Sequence, residues 1–225
     1  DGFDPVTDGD REAARVIREV ISANYPGHAI IGEEMADKAA DGPFEWIVDP
    51  IDGTRAFISG APVWGTLIGF RVAGKTLAGL MAQPFTGEVY LGMPEGSRYR
   101  RGAADTAIRT SGVTELARAK LSATSPEIFE ASGTGRQWDA LRRAVLQARY
   151  GLDCYAYCLL AAGQLDLVCE AALKIVDIAP LIPIIENAGG VVSNWQGGSA
   201  EHGGNCLAAA TPELHRAALA VLQAG

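Results

Sequence analysis

The chain has 225 residues, 48% hydrophobic and 20% charged, with a formal net charge of −8. This length and balance suit one large domain or two small ones and exclude a disordered chain. The acidic balance argues against nucleic acid as the main partner, since that calls for a basic face. It leaves room for a small phosphorylated molecule met through bound cations.

Thr7-Asp8-Gly9-Asp10 opens a first predicted helix, with Thr7 as N-cap, Asp10 in the first turn and Val16, Ile17, Val20 and Ile21 as its apolar face. Tyr25-Pro26-Gly27 stops it. Ala29–Gly32 reads as a short buried strand ending in Glu33-Glu34. A second strand runs through Trp46-Ile47-Val48, and Pro50, which has no N–H to donate, is expected to end its ladder. Strands at Gly65–Val72, Thr76–Gln83 and Glu88–Met93 form an antiparallel meander, with turns at Gly74-Lys75 and Thr86-Gly87. From about Arg109 the pattern becomes mixed. A strand at Leu121–Ala123, helices at Gln137–Tyr150 and Tyr155–Gly163, and a strand at Leu165–Glu170 follow. Then come a helix at Asp177–Ala188, strands at Val191–Ser193 and Cys206–Ala210, and a last helix from Pro212 to about Gln223. Helix and meander in the first half, then alternating elements, fit a layered α/β sandwich. Residues 1–110 would form an α+β half and 111–225 an α/β half of one compact unit.

Cys154, Cys158, Cys169 and Cys206 form no CxxC pair and no visible disulfide framework, so a reducing cytoplasm is expected. No apolar run reaches membrane-spanning length and no signal-peptide pattern appears. His28, His202 and His215 lack the spacing of a zinc site and read as surface or structural residues.

The segment Trp46-Ile47-Val48-Asp49-Pro50-Ile51-Asp52-Gly53-Thr54 carries the chemistry. Asp49, Asp52 and the Ile51 carbonyl form an oxygen cluster suited to a hard divalent cation. Two buried carboxylates this close need cations or protons to coexist. Glu33 and Asp177 stand at comparable element ends, where each alone also fits a solvated turn acid or a helix cap. Gly53 and Thr54 open a helix whose N–H groups suit a phosphate. Thr54 offers a hydroxyl to orient water, and Asp10 could accept its proton, although a first-turn Asp favours almost any helix. Pro183, inside the predicted Asp177 helix, should kink it and finds no functional explanation in the sequence.

Gly32-Glu33-Glu34, the Asp49–Thr54 motif, and Asp177-Ile178-Ala179 with Glu186-Asn187-Ala188-Gly189-Gly190 resemble the inositol monophosphatase superfamily, in that family's order, from about Val6 to Val192. The resemblance implies a layered αβαβα sandwich of the inositol monophosphatase and fructose bisphosphatase type and a Mg²⁺-dependent phosphatase, with two or three ions per site. Carried over by residue, Glu33, Asp49 and the Ile51 carbonyl would hold one metal, and Asp49, Asp52 and Asp177 a second. Glu33 would also reach a third through water. Thr54 paired with Asp10 resembles the family's water-activating dyad, and the Gly53 and Thr54 amides would bind phosphate. A homodimer is implied as well. Members carry a helix ahead of the segment that opens here at Asp1, and whether one precedes this chain stays open.

Arg55–Pro62, Gln83-Pro84, Ala123–Phe129 and Gly151–Tyr157 look closer to histidinol-phosphate phosphatases than to inositol phosphatases. Histidinol carries an ammonium beside its phosphate ester. Carboxylates at Asp153 and, by family analogy, Glu170 would suit that cation. Asp153 also reads as the N-cap of the following helix, and Glu170 as a strand-end surface acid. The leading expectation is hydrolysis of L-histidinol phosphate in histidine biosynthesis. The alternatives are an inositol-1-monophosphatase, a broad sugar or nucleotide monophosphatase, and a non-catalytic scaffold that has lost part of the acid set.

Overall fold

The computed structural model describes residues 7–224; Val6, where the resemblance begins, lies outside them. Helix α1 (Asp8–Asn24) opens as its sequence predicts. The Thr7 hydroxyl accepts from Gly9 N at 3.1 Å and Asp10 N at 3.3 Å. The Asp10 carboxylate accepts from Thr7 N at 2.8 Å and from the Thr7 hydroxyl, which completes a capping box. Ile17 and Ile21 pack on Ile30, Trp46 and Val48. Val16 and Val20, expected on that face, are 44% and 59% exposed. The buried stripe is narrower than the run of apolar residues suggests.

The first sheet holds β1 (Ala29–Gly32), β2 (Phe44–Asp52), β3 (Gly65–Val72), β4 (Lys75–Gln83), β5 (Glu88–Met93), β6 (Gly96–Arg101) and β7 (Ala104–Ala107), in chain order. β1 runs parallel to β2, and the other pairs are antiparallel. Helix α2 (Thr54–Ser59) sits between β2 and β3. The meander exceeds its prediction by β6 and β7, whose strongly polar sequences hide the strand pattern. The second sheet comprises β8 (Lys120–Ala123), β9 (Gln147–Tyr150), β10 (Leu167–Leu173), β11 (Val191–Asn194) and β12 (Gly204–Ala209), ordered β11-β12-β10-β8-β9. The remaining helices are α3 (Glu127–Ala131), α4 (Gly135–Ala144), α5 (Asp153–Ala161), α6 (Ile175–Ile178), α7 (Ile182–Glu186) and α8 (Pro212–Ala224).

Packing arranges these as α1, the first sheet, α5 to α7, the second sheet, then α3, α4 and α8. This is the αβαβα sandwich that the sequence predicts. Leu67, Met81 and Tyr90 meet Leu160, Ile184 and Val168 in the middle layer. Phe129, Trp138, Leu141, Leu214 and Leu222 cover the far face of the second sheet on Leu121, Leu167 and Leu207. The helix expected over Gln137–Tyr150 stops at Ala144, and Gln147–Tyr150 pairs in parallel with Lys120–Ala123 instead. That tertiary pairing overrides the local helical pattern.

The helix expected over Asp177–Ala188 is two short helices, α6 and α7. Pro183 falls in the first turn of α7, where its missing N–H leaves no bond unmade. The break sits in a trough in the first sheet. Gly69, Gly79 and Gly92 are direct neighbours across β3, β4 and β5. A Cβ on Gly79 would lie 1.8 Å from the Pro180 oxygen, and one on Gly92 would lie 2.3 Å from Ile184 N. Ser97, opposite Gly92 on β6, donates its hydroxyl to the Ile184 carbonyl at 2.7 Å. The prolines break the helix where the glycines make room for bare backbone.

β2 departs from expectation where it matters most. Ile47 packs on Val176 and Ala179 in the middle layer and Val48 packs toward α1, so Asp49 points inward again. Pro50 does not end the ladder. Asp49 stands opposite Leu67 and Asp52 opposite Gly65, three steps on β2 against two on β3. This bulge carries the residue that cannot donate, and Thr66 Oγ1 holds the Pro50 carbonyl at 2.8 Å. The extra residue returns Asp52 to the face of Asp49, where a regular pleat would send it to the other.

Candidate active site

A cleft of about 340 Å³ opens where β1 and β2 end, between the sheets; Glu33, Asp49, Ile51, Asp52, Thr54, Asp153, Glu170 and Asp177 all line it. Glu33 follows β1, and its N–H reaches the Val48 carbonyl at 3.3 Å. Asp49 is 1% exposed and accepts from Ile51 N at 3.1 Å. Asp177 lies on α6, where its Oδ2 accepts from Lys174 N at 2.7 Å. One oxygen each of Glu33, Asp49 and Asp177 lies within 4.8 Å of the others.

Burial pushes the Asp49 carboxyl well above the usual range, and the charges of Asp52, Glu33 and Asp177 push it further. Asp52 is pushed up to about 8, by burial first and then by Asp177. Acids in this state hold protons or a cation. The chemistry of this all-oxygen set fits a hard divalent ion.

Asp52 is not in that trio. Its Oδ2 accepts from Cys154 N at 2.8 Å and so caps α5 from the end of β2. The cap that the alternative reading assigns to Asp153 is therefore supplied by a residue far away in sequence. Asp153 adopts φ +45, a left-handed conformation that Asp tolerates better than most residues. Its Oδ2 is only 3.0 Å from where a Cβ on Gly53 would stand; Gly53 itself has φ +81. Burial raises the Asp153 carboxyl, partly offset by Thr124 and Arg55.

Glu170 is not a surface acid but is 2% exposed on β10. Its Oε1 accepts from Thr124 N at 2.7 Å and from the Thr124 hydroxyl at 3.1 Å, whereas Oε2 is buried with no hydrogen-bond partner among the described residues. Burial pushes this carboxyl up to about 8. The Tyr157 side chain lines the same cleft, and its hydroxyl is buried.

Thr54 donates its hydroxyl to the Ile51 carbonyl at 3.1 Å, while the Asp10 carboxylate is engaged by Thr7. Among the described residues no hydrogen bond joins Thr54 to Asp10. The capping box of α1 closes on itself instead. His28 stacks among Tyr25, Phe44 and Phe70 and accepts from Trp46 Nε1 at 3.1 Å, and His215 pairs with Ser193. The four cysteines are buried and unbonded. Thr124, Tyr157 and Lys174 went unassigned in the sequence. Thr124 lies in the Ala123–Phe129 segment, and Lys174 lies between two assigned acids, but neither spacing reveals its partner.

The family model of the inositol monophosphatase family matches residues 1–224. The chain is 38% identical to the bifunctional phosphatase IMPL2, chloroplastic, of Arabidopsis thaliana, over 99% of this chain and 66% of that protein, just under two thirds of its length. It is 31% identical to a histidinol-phosphatase of Chlorobaculum parvum, over 98% of this chain and 84% of the relative. An inositol monophosphatase structure from Zymomonas mobilis superposes with a TM-score of 0.87 at 33% identity, covering 99% of this chain and 88% of that one. Matched along its length in sequence and in fold, the chain belongs to the inositol monophosphatase family of phosphatases.

Proposed function

We propose that this chain hydrolyses L-histidinol phosphate to L-histidinol and phosphate with Mg²⁺, as a step of histidine biosynthesis. The observation that carries this reading is the unpartnered Glu170 Oε2, buried in the same cleft as the acid trio with Asp153 beside it. A neutral polyol has no need of two further carboxylates. An ammonium next to the phosphate ester would satisfy them. Curated relatives named histidinol-phosphatase support the same choice.

Glu33, Asp49 and the Ile51 carbonyl are assigned to one ion, Asp49, Asp52 and Asp177 to a second, and Glu33 to a third through water. When bound, magnesium neutralises these acids and supplies Lewis acidity toward the phosphoryl oxygens. Gly53 and Thr54, at the start of α2, present N–H groups to the phosphate. Thr54 turns its hydroxyl from the Ile51 carbonyl to the attacking water. Asp10 accepts the proton once its carboxylate leaves Thr7, an adjustment of the kind that catalytic groups make when substrate arrives. Asp153 and Glu170 hold the ammonium.

A second reading, inositol-1-phosphate or a broader range of sugar and nucleotide monophosphates, is favoured by the likeness to the Zymomonas mobilis inositol monophosphatase. We further place the protein in the cytoplasm as a homodimer. Its buried, unbonded cysteines suit a reducing compartment, and no helix among the described residues is long and apolar enough to cross a membrane. Phosphate release from histidinol phosphate and from inositol 1-phosphate, each with and without Mg²⁺, tests the assignment. Histidinol phosphate should lead by about tenfold or more in kcat/KM, the worth of one satisfied charged contact. Equal turnover would remove the substrate and keep the chemistry.

A further inference from the structure

Lys174 touches two of the three converging carboxylates with different atoms. Its backbone N–H donates to Asp177 Oδ2 at 2.7 Å, and its ammonium donates to Glu33 Oε1 at 2.8 Å. We propose that Lys174 is a positioning residue that competes with divalent metal for Glu33, holding that carboxylate at the rim of the cleft and yielding it as metal arrives. The proposal rests on the reading of the acid trio as a metal site.

The pair is built to be exchanged. The Lys174 side chain is 57% exposed and that of Glu33 is 21% exposed, so water reaches the ammonium and weakens its grip. Lysine carries a compact, strongly hydrated charge on a flexible stem, which releases more easily than a bidentate arginine fork. Asp49, at the centre of the trio, is by contrast almost wholly buried. A divalent ion brings twice the charge of the ammonium and meets several carboxylates at once, so it wins at sufficient concentration. An ion that uses Glu33 as a ligand would meet this competition most directly. The two contacts of Lys174 are also separable. The bond to Asp177 belongs to the backbone and survives any substitution except proline, so Lys174→Met removes the competing charge and keeps that bond.

The test is Mn²⁺ binding to the metal-free full chain, followed by electron paramagnetic resonance and calorimetry without substrate. Lys174→Met should tighten Mn²⁺ binding by about two- to fivefold, the range that a half-exposed ion pair supports. Lys174→Arg, which keeps a cation, should return it toward the parent value. Raising KCl to about 0.5 M should narrow the gap between parent and Lys174→Met. Unchanged or weaker Mn²⁺ binding by a folded Lys174→Met overturns the proposal. A parent chain that binds no Mn²⁺ overturns both it and the metal reading. Failure to hydrolyse histidinol phosphate touches neither, because no substrate enters the measurement.

Discussion

Two sets of carboxylates face one cleft and solve the problem of burial differently. Glu33, Asp49 and Asp177 converge within 4.8 Å and repel one another. Glu170 and Asp153 each carry their own compensation: Thr124 donates twice to Glu170, and Asp153 sits beside Gly53 with the Arg55 charge near. The first set has the Lys174 ammonium on Glu33 but needs further positive charge for three carboxylates. The second is largely solvated by the protein, with one oxygen of Glu170 left over. A crowded cluster suits a cation, and a lone acid with a spare acceptor suits a contact to a donor group.

The sharpest way to break this contrast is Asp49→Asn. Turnover should fall on the order of 1000-fold, about 4 kcal/mol of transition-state stabilisation, because the shared metal ligand is lost. The metal-free variant should melt higher than the parent, since the amide removes a buried, repelled carboxyl. A variant with parental turnover would show that the trio is only structural. Next is the support beneath Asp177. Gly79→Ala forces a Cβ to within 1.8 Å of the Pro180 oxygen unless strand or helix moves. It should cost about 3 kcal/mol or more in urea unfolding. If the variant still folds, it should bind metal more weakly while the Glu170 contact persists. Parental stability would mean that the trough is not tightly filled.

Glu170→Gln should have the smallest effect and discriminate best. KM for histidinol phosphate should rise about tenfold, near 1.4 kcal/mol, with inositol 1-phosphate unaffected. An equal effect on both esters would assign Glu170 to packing. The same variant reports on pH. Folded Glu170 holds its proton up to about 8, against 4.5 ordinarily, so the native state binds more protons across that window. Stability therefore falls as pH rises through it. Metal-free Asp49 and Asp52 act in the same direction. Melting curves at several pH values should show Mg²⁺ removing the part of this slope due to Asp49 and Asp52, and Glu170→Gln removing a further part.

Local chemistry was legible in the sequence and distant complementarity was not. The Thr7–Asp10 cap, the meander and the acids at strand ends follow from residues within a few positions of one another. The break at Pro180–Pro183 depends on glycines about a hundred residues earlier, so the sequence offered only an awkward proline. The cap of α5 comes from Asp52, and its nearest candidate in sequence, Asp153, has a different position in space. Gln147–Tyr150 follows helical periodicity until β8 supplies a partner. Val16 and Val20 show that an apolar residue at helical spacing need not be covered.

The single additional residue in β2 has a consequence for any attempt to shorten that segment. Spacing in a pleated ribbon is a matter of odd and even, and the bulge converts an odd interval into an even one. Deleting Pro50 or Ile51 would leave a tidier strand by every local criterion. It would still leave the second aspartate two steps after the first and on the same inner face, but it would remove either the Pro50 carbonyl that Thr66 holds or the Ile51 carbonyl that Thr54 holds. The irregularity is thus a parity device: it fits one more residue, with its carbonyl, between two acids that still face the same way.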